Sequence, residues 1–92
     1  MLSISIIIPT LNEETSIQSL LIYLNRLDSN LHCIIVDGGS RDNTVYKAKA
    51  YSTVITASRG RGAQMNAGAH IAEGDILWFL HADISNEYRG NW

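Results

Sequence analysis

Ser3 to Ile8 is a β-branched run closed by Pro9, and its apolar residues occupy adjacent as well as alternate positions. It is too short for a helix and has no polar face to give to water, so it fits a strand buried on both sides, as in a parallel sheet. The pattern recurs at Leu31, Cys33, Ile34, Ile35 and Val36, at Asp75 to Leu80 and, more briefly, at Thr53 to Thr56. Parallel neighbours cannot be joined by a tight hairpin and need crossovers between them.

The intervening segments have the period of helices. From Glu13, residues Ile17, Leu20, Leu21, Leu24 and Leu27 fall at i, i+3, i+4, i+7 spacing. Thr15 with Gln18 fits a capping box, Asn12 is an equally good cap, and Asp28 to Asn30 closes the helix. Asp42 to Tyr51 predicts a weaker helix with Val45 and Ala48 inward, and Ser40 is placed to cap it. Gly62 to Glu73 predicts a helix rich in small residues, with Ala63, Ala67 and Ile71 on one face, close approach allowed at Gly68, Ala69 and Ala72, and Gly74 as C-cap. Strands alternating with helices imply an α/β, Rossmann-like three-layer sandwich around a parallel sheet of about four strands.

The chain has 92 residues, 46% of them hydrophobic, which allows one domain covering residues 1–92 and no more. No internal repeat or linker divides it. Cys33 is the single cysteine, which excludes an internal disulfide framework and a multi-cysteine zinc site and fits a reducing compartment such as the cytoplasm. Within an apolar strand it reads as inert core. Net charge is −2, so no broad positive field is available to hold nucleic acid. The longest apolar stretches fall well short of the roughly 20 residues of a transmembrane span, and the amino terminus lacks the basic segment of a secretory signal. Peripheral contact with a membrane stays open.

In an open parallel sheet, ligands bind outside the carboxyl ends of the strands. Those ends carry Pro9, Thr10, Asn12 and Glu13, then Asp37, Gly38, Gly39 and Ser40, then His81, Ala82 and Asp83, which are expected to converge on one crevice. A phosphate loop of the GxxxxGK[ST] type is absent, and Gly60-Arg61-Gly62 is followed by Met65 where a dinucleotide fingerprint needs glycine. What fits is a nucleotide site that uses carboxylates for base or ribose and a metal for the phosphates. The plainer roles are a turn cap for Asp37, a helix cap for Asn12, solvated charges for Arg59 and Arg61, loop positions for His81 and Asp83, and core for Trp78 and Phe79.

Four segments, taken in order, resemble a known family. They are Ile6-Ile7-Ile8-Pro9-Thr10-Leu11-Asn12-Glu13; Val36-Asp37-Gly38-Gly39-Ser40 with Asp42 and Thr44; Gly60-Arg61-Gly62 with Asn66 and Gly68; and Gly74-Asp75-Ile76 leading to His81-Ala82-Asp83. Together they are similar to the motifs of family-2 glycosyltransferases with the GT-A fold.

That resemblance implies the amino-terminal, nucleotide-sugar-binding half of an enzyme that moves a sugar from a nucleoside-diphosphate sugar to an acceptor hydroxyl with inversion. UDP sugars are the family's common donors. It assigns Pro9, Thr10, Asn12, Glu13 and Asp37 to base and ribose, Gly38 to the nucleotide-sugar site, and Arg59 or Arg61 to base or diphosphate. Asp83 takes the last position of a DxD motif for Mn²⁺ or Mg²⁺. His81 stands where that motif begins with aspartate; a neutral imidazole ligates Mn²⁺ but suits Mg²⁺ less well. The general base of the family belongs to the carboxyl-terminal half, so the resemblance names none here. The competing expectations are a non-catalytic nucleotide-binding module and an inactive fragment, each needing a partner chain for the acceptor half. In both, the sheet surface facing the absent half would be apolar and prone to self-association.

Overall fold

Ile6 and Ile8 point to one side of a sheet and Ile7 to the other, and all three are fully buried. The computed structural model describes residues 2–82. It contains β1 (Ile4–Thr10), α1 (Ile17–Leu27), β2 (Leu31–Asp37), α2 (Thr44–Ala48), β3 (Thr53–Thr56), α3 (Arg61–Ile71) and β4 (Ile76–Phe79). The strands form one parallel sheet in the order β3-β2-β1-β4. Helices α1 and α2 cover the face of Ile6, Ile8, Cys33 and Ile35, while small residues of α3 cover Ile7, Ile34 and Val36. The expected three-layer sandwich is present, and Cys33 lies in its core, where burial pushes the thiol pKa up.

Strand β1 runs past the expected end at Ile8, through Pro9 to Thr10. The Ile7 carbonyl accepts from the Leu80 amide on the β4 side and the Thr10 carbonyl from the Gly38 amide on the β2 side. Pro9, two residues after Ile7, therefore turns its nitrogen toward β4, beyond Phe79, the last residue paired there. A parallel ladder would next need an amide at position 9 for the Leu80 carbonyl, which proline lacks, and pairing with β4 ends at Ile7 and Phe79 while that with β2 continues to Thr10 and Asp37.

Helix α1 begins at Ile17 with Ser16 as N-cap, so neither Asn12 nor Thr15 caps it. The turn before it closes instead on the Glu13 carbonyl, which accepts from the Ser16 and Ile17 amides. Its apolar stripe ends at Leu24, and Leu27 is 55% exposed. Helix α2 is shorter than Asp42 to Tyr51, and Ser40 does not cap it. Its N-cap is Asn43, and the Asp42 carboxylate just before it accepts from the Thr44 amide and hydroxyl at 3.0 and 2.5 Å. Ala48 is buried and Val45 half-buried, as their spacing requires.

Helix α3 approaches the sheet at Gly68, with Ala69 and Ala72 packed beside it, as expected, but the expected face of Ala63, Ala67 and Ile71 is only partly used. Gln64 and Gly68 are buried against the sheet, Ala67 is half-buried, and Ala63 and Ile71 are exposed. The cause is close approach. A Cβ on Gly68 would stand 2.5 Å from Ile7 Cγ2 and 2.9 Å from Val36 Cγ2, so the residue without a side chain is the one that faces the sheet. The helix ends at Ala72, not at Gly74. Gly74 lies against β1, where its amide donates to Ser5 Oγ at 2.9 Å.

Strand β4 is held at its start by Asp75, whose carboxylate accepts from the Ser3 amide and hydroxyl at 3.0 and 3.3 Å. It pairs with β1 alone, and Ile76, Leu77, Trp78 and Phe79 are each 40–45% exposed. Trp78 and Phe79 are thus not core: among the described residues, no further strand pairs with the free edge of β4. Adding one methyl group at the α3–sheet contact tests its closeness. Gly68→Ala is expected to destabilise the chain by about 1–3 kcal/mol, the usual cost of overpacking. An unchanged urea midpoint would contradict the contact.

Candidate nucleotide-binding crevice

The carboxyl ends of β1 and β2 are joined by a buried carboxylate. Asp37, 1% exposed, accepts from four donors. Thr10 Oγ1 and Ser40 Oγ donate to its Oδ1 at 2.8 and 2.6 Å, and the Gly39 and Ser40 amides donate to its Oδ2 at 3.0 and 2.7 Å. Burial pushes the Asp37 carboxyl pKa up, but the bonds from Ser40, Thr10 and Gly39 outweigh it and hold the group below its ordinary 3.8.

Hydroxyls extend this network to the loop after β1. Ser40 Oγ, while donating to Asp37, accepts the Asn12 amide at 2.8 Å. Thr44 Oγ1, while donating to Asp42, accepts the Glu13 amide at 2.7 Å. Asp42 Oδ2 accepts the Glu14 amide at 3.3 Å, and Asn12 Oδ1 accepts the Arg41 amide at 2.9 Å. Asn12 takes a left-handed conformation, φ 55°, that Asn adopts more readily than most residues. The chemistry explains the spacing: two carboxylates, each with a hydroxyl residue close behind it, fix three successive amides of the neighbouring loop. The Thr44 hydroxyl comes first among the causes that hold the Asp42 carboxyl below its ordinary value.

Beside this network lies an open crevice of about 150 Å³ lined by Pro9, Thr10, Leu11, Glu13, Arg61, Gln64, His81 and Ala82. It brings together Pro9, Thr10, Glu13, Arg61 and His81 from the sequence expectations. Asn12, Asp37, Gly38 and Arg59 do not line it; Asn12 and Asp37 act within the network behind the wall. Asp83 lies outside the described residues, as do Tyr88 to Trp92. Among the described residues no three His, Cys, Asp or Glu side chains gather as a metal site, and His81 is the expected metal ligand that reaches the crevice. Sequence reading missed Gln64, whose signal was its position four residues before Gly68, on the same helical face.

Residues 5–88 match the family described as Glycosyl transferase family 2. The chain belongs to that family. It is 30% identical over 96 residues to the undecaprenyl-phosphate 4-deoxy-4-formamido-L-arabinose transferase of Aeromonas hydrophila, with 90% of this chain and 29% of that protein covered. It is 33% identical to the 4,4'-diaponeurosporenoate glycosyltransferase of Staphylococcus haemolyticus, with 94% of this chain and 26% of the relative covered. The fold matches glucosyl-3-phosphoglycerate synthase of Mycobacterium tuberculosis, solved with Mn²⁺, UDP and glucosyl-3-phosphoglycerate, at TM-score 0.78 and 28% identity. That match covers 88% of this chain and 33% of the synthase. The sheet is therefore of the GT-A type, and the family 2 chain described here spans about a third or less of the length of these relatives.

Asp37 gives a pH prediction. Its folded-state pKa is depressed, so the stability it contributes is complete above 3.8 and is lost as pH falls through the folded value. Asp37→Asn is expected to cost about 1–3 kcal/mol at pH 7, the penalty for buried donors left unmatched. It should also flatten the fall of stability in acid. Asp42 keeps part of that slope. Equal acid profiles for the variant and wild-type chains in urea unfolding would contradict the hub.

Proposed function

We propose that this family 2 chain binds the donor in glycosyl transfer from a nucleoside-diphosphate sugar to an acceptor hydroxyl. The observation that carries the reading is the convergence of Pro9, Thr10, Glu13, Arg61 and His81 on one crevice at the carboxyl ends of the strands. The UDP and Mn²⁺ bound by the synthase of similar fold support uridine diphosphate as the nucleotide.

In this reading the loop from Pro9 to Glu13 receives base and ribose, held in shape by Asp37, Ser40, Asp42 and Thr44. Gly38, behind the crevice wall, leaves room for the Gln64 side chain that lines it. Arg61, with Arg59 two residues before it, faces the diphosphate and offsets the charge that grows on it as the bond to the anomeric carbon breaks. The acceptor oxygen forms the new bond from the opposite side, which inverts the configuration. His81 and Asp83 are the residues placed by sequence to hold Mn²⁺, which when bound would neutralise diphosphate charge. An imidazole in that pair favours Mn²⁺ over Mg²⁺. No described residue is assigned as general base.

A second reading, a nucleotide-binding module completed by a partner, is supported by one observation: among the described residues β4 is an edge strand with four apolar side chains 40–45% exposed. A partner supplying acceptor-side structure, or a second copy of the chain, would cover them.

A thermal melt with UDP and Mn²⁺ tests the donor-site reading. Binding to the native state at a hundredfold excess over the dissociation constant adds about 2.7 kcal/mol, a readable rise in midpoint. Arg61→Ala is expected to weaken UDP binding about tenfold, through loss of a charged hydrogen bond. His81→Ala should reduce the extra shift given by Mn²⁺ while leaving the shift with UDP alone. A cooperative melt unmoved by UDP would overturn the reading.

A further inference from the structure

Gln64 is 4% exposed on the sheet-facing side of α3, and its carboxamide makes three hydrogen bonds, none of which the expected motifs explain. Nε2 donates to the Thr10 carbonyl at 3.0 Å and to the Val36 carbonyl at 2.7 Å. Oε1 accepts the Gly60 amide at 3.0 Å. One side chain thus ties the end of β1, the end of β2 and the residue immediately before Arg61. The Gln64 amide in turn donates to the Gly60 carbonyl at 2.9 Å, so the first turn of α3 is fixed from both sides.

The space for this carboxamide comes from Gly38. A Cβ on Gly38 would lie 2.8 Å from Gln64 Oε1, 3.0 Å from Cδ and 3.1 Å from Nε2. A side chain at position 38 and the carboxamide of Gln64 therefore compete for one volume. The far end of a glutamine normally yields to such a contact at little cost, but here both Nε2 hydrogens and one Oε1 lone pair are engaged. Moving it would leave the Thr10 and Val36 carbonyls and the Gly60 amide to find other partners.

We infer that Gln64, in the volume left by Gly38, is the positioning residue of the crevice: it sets the separation between the Thr10 wall and Arg61. Thr10, Arg61 and Gln64 all line the crevice, and the Gln64 carboxamide is the link that reaches both of the others' backbone segments. The consequence for nucleotide rests on the donor-site reading above; the clamp itself does not. Gln64 acts through Thr10 and Arg61, and the inference requires no contact between Gln64 and the ligand.

Two readouts separate the clamp from the donor-site reading, and both are taken on the full chain under conditions where each variant is folded. The first is amide hydrogen exchange without ligand. Gln64→Met removes the acceptor for Gly60, so Gly60 exchange is expected to accelerate about tenfold or more while core amides such as Ile35 keep their protection. The second is UDP affinity with Mn²⁺, expected to fall about tenfold in Gln64→Met and in Gly38→Ala, each of which costs the carboxamide its bonds. The double variant Gly38→Ala/Gln64→Met decides between positioning and mere stability, because the two sites share one volume and do not act independently. Its melting midpoint should recover toward that of Gln64→Met while its UDP affinity stays low. A purely structural role would instead return affinity together with stability, and that result would overturn the inference. So would unchanged Gly60 exchange in Gln64→Met, or UDP affinity unchanged in either folded single variant. If Gln64→Met does not fold, the exchange and affinity of Gly38→Ala decide. A wild-type chain that ignores UDP would overturn the donor-site reading, and Gly60 exchange would still judge the clamp.

Discussion

The loop layer of this protein is organised by the Asp37 carboxylate, a buried charge whose two oxygens are satisfied by four donors from three residues. Charge-assisted bonds of this kind are stronger than neutral ones, and leaving the charge without them inside the sheet edge would be costly. The Gly38-Gly39-Ser40 turn therefore wraps around the carboxylate, and the Ser40 hydroxyl passes the constraint on to Asn12. Asp42 and Thr44 repeat the device one step along, on Glu13 and Glu14. The backbone of the crevice wall is thus set by groups that do not line the crevice.

Beneath that layer the sheet needs cover on both faces, and the helices supply it unequally. On one side α1 lays Ile17, Leu20, Leu21 and Leu24 across β1 and β2. On the other, the apolar residues that α3 sets against the sheet are small, Ala67, Ala69 and Ala72, and the helix gains contact by coming close, which requires Gly68. Close approach brings the amino-terminal turn of α3, with Arg61 and Gln64, up to the ends of β1 and β2, so packing on the Ile7 side and construction of the crevice have one cause. Among the described residues, β4 is the strand whose large apolar side chains stay exposed. Relatives about three or more times as long have ample further chain with which to meet such an edge.

Strands and their parallel direction were legible in the sequence because two-sided apolar runs have few other solutions; β3 matches its expected bounds at Thr53 and Thr56. The crevice was legible as a place, since the rule of carboxyl ends needs only the strand directions. What did not follow was the use of particular polar groups. Asn12 has the composition of a helix cap, yet its carboxamide binds the Arg41 amide across the loop, a contact with no local signal. Close approach of α3 at Gly68, Ala69 and Ala72 was legible from their small size, whereas Ala63 and Ile71, which share an apolar spacing with Ala67, are exposed because the packing distance favours the smallest residues. Gln64 lies one helical turn before Gly68 on the same face, but a polar residue there carries no apolar signal of burial. Trp78 and Phe79 read as core because a two-sided apolar strand implies covered faces, and at an edge strand that cover need not come from the same 92 residues.

The central claim is that the loop fixed by Asp37 and Asp42, the first turn of α3 and the segment at His81 form one ligand-binding surface. A titration of the ¹⁵N-labelled chain with UDP in the presence of Mg²⁺, followed residue by residue through the backbone amide resonances, tests it most directly. The account predicts saturable shifts with a single dissociation constant at Thr10, Glu13, Arg61, Gln64 and His81, and none at Tyr23, Tyr46 or Lys49 on the outer surfaces of α1 and α2. Shifts confined to those outer surfaces, or none at the crevice at saturating nucleotide, would contradict it.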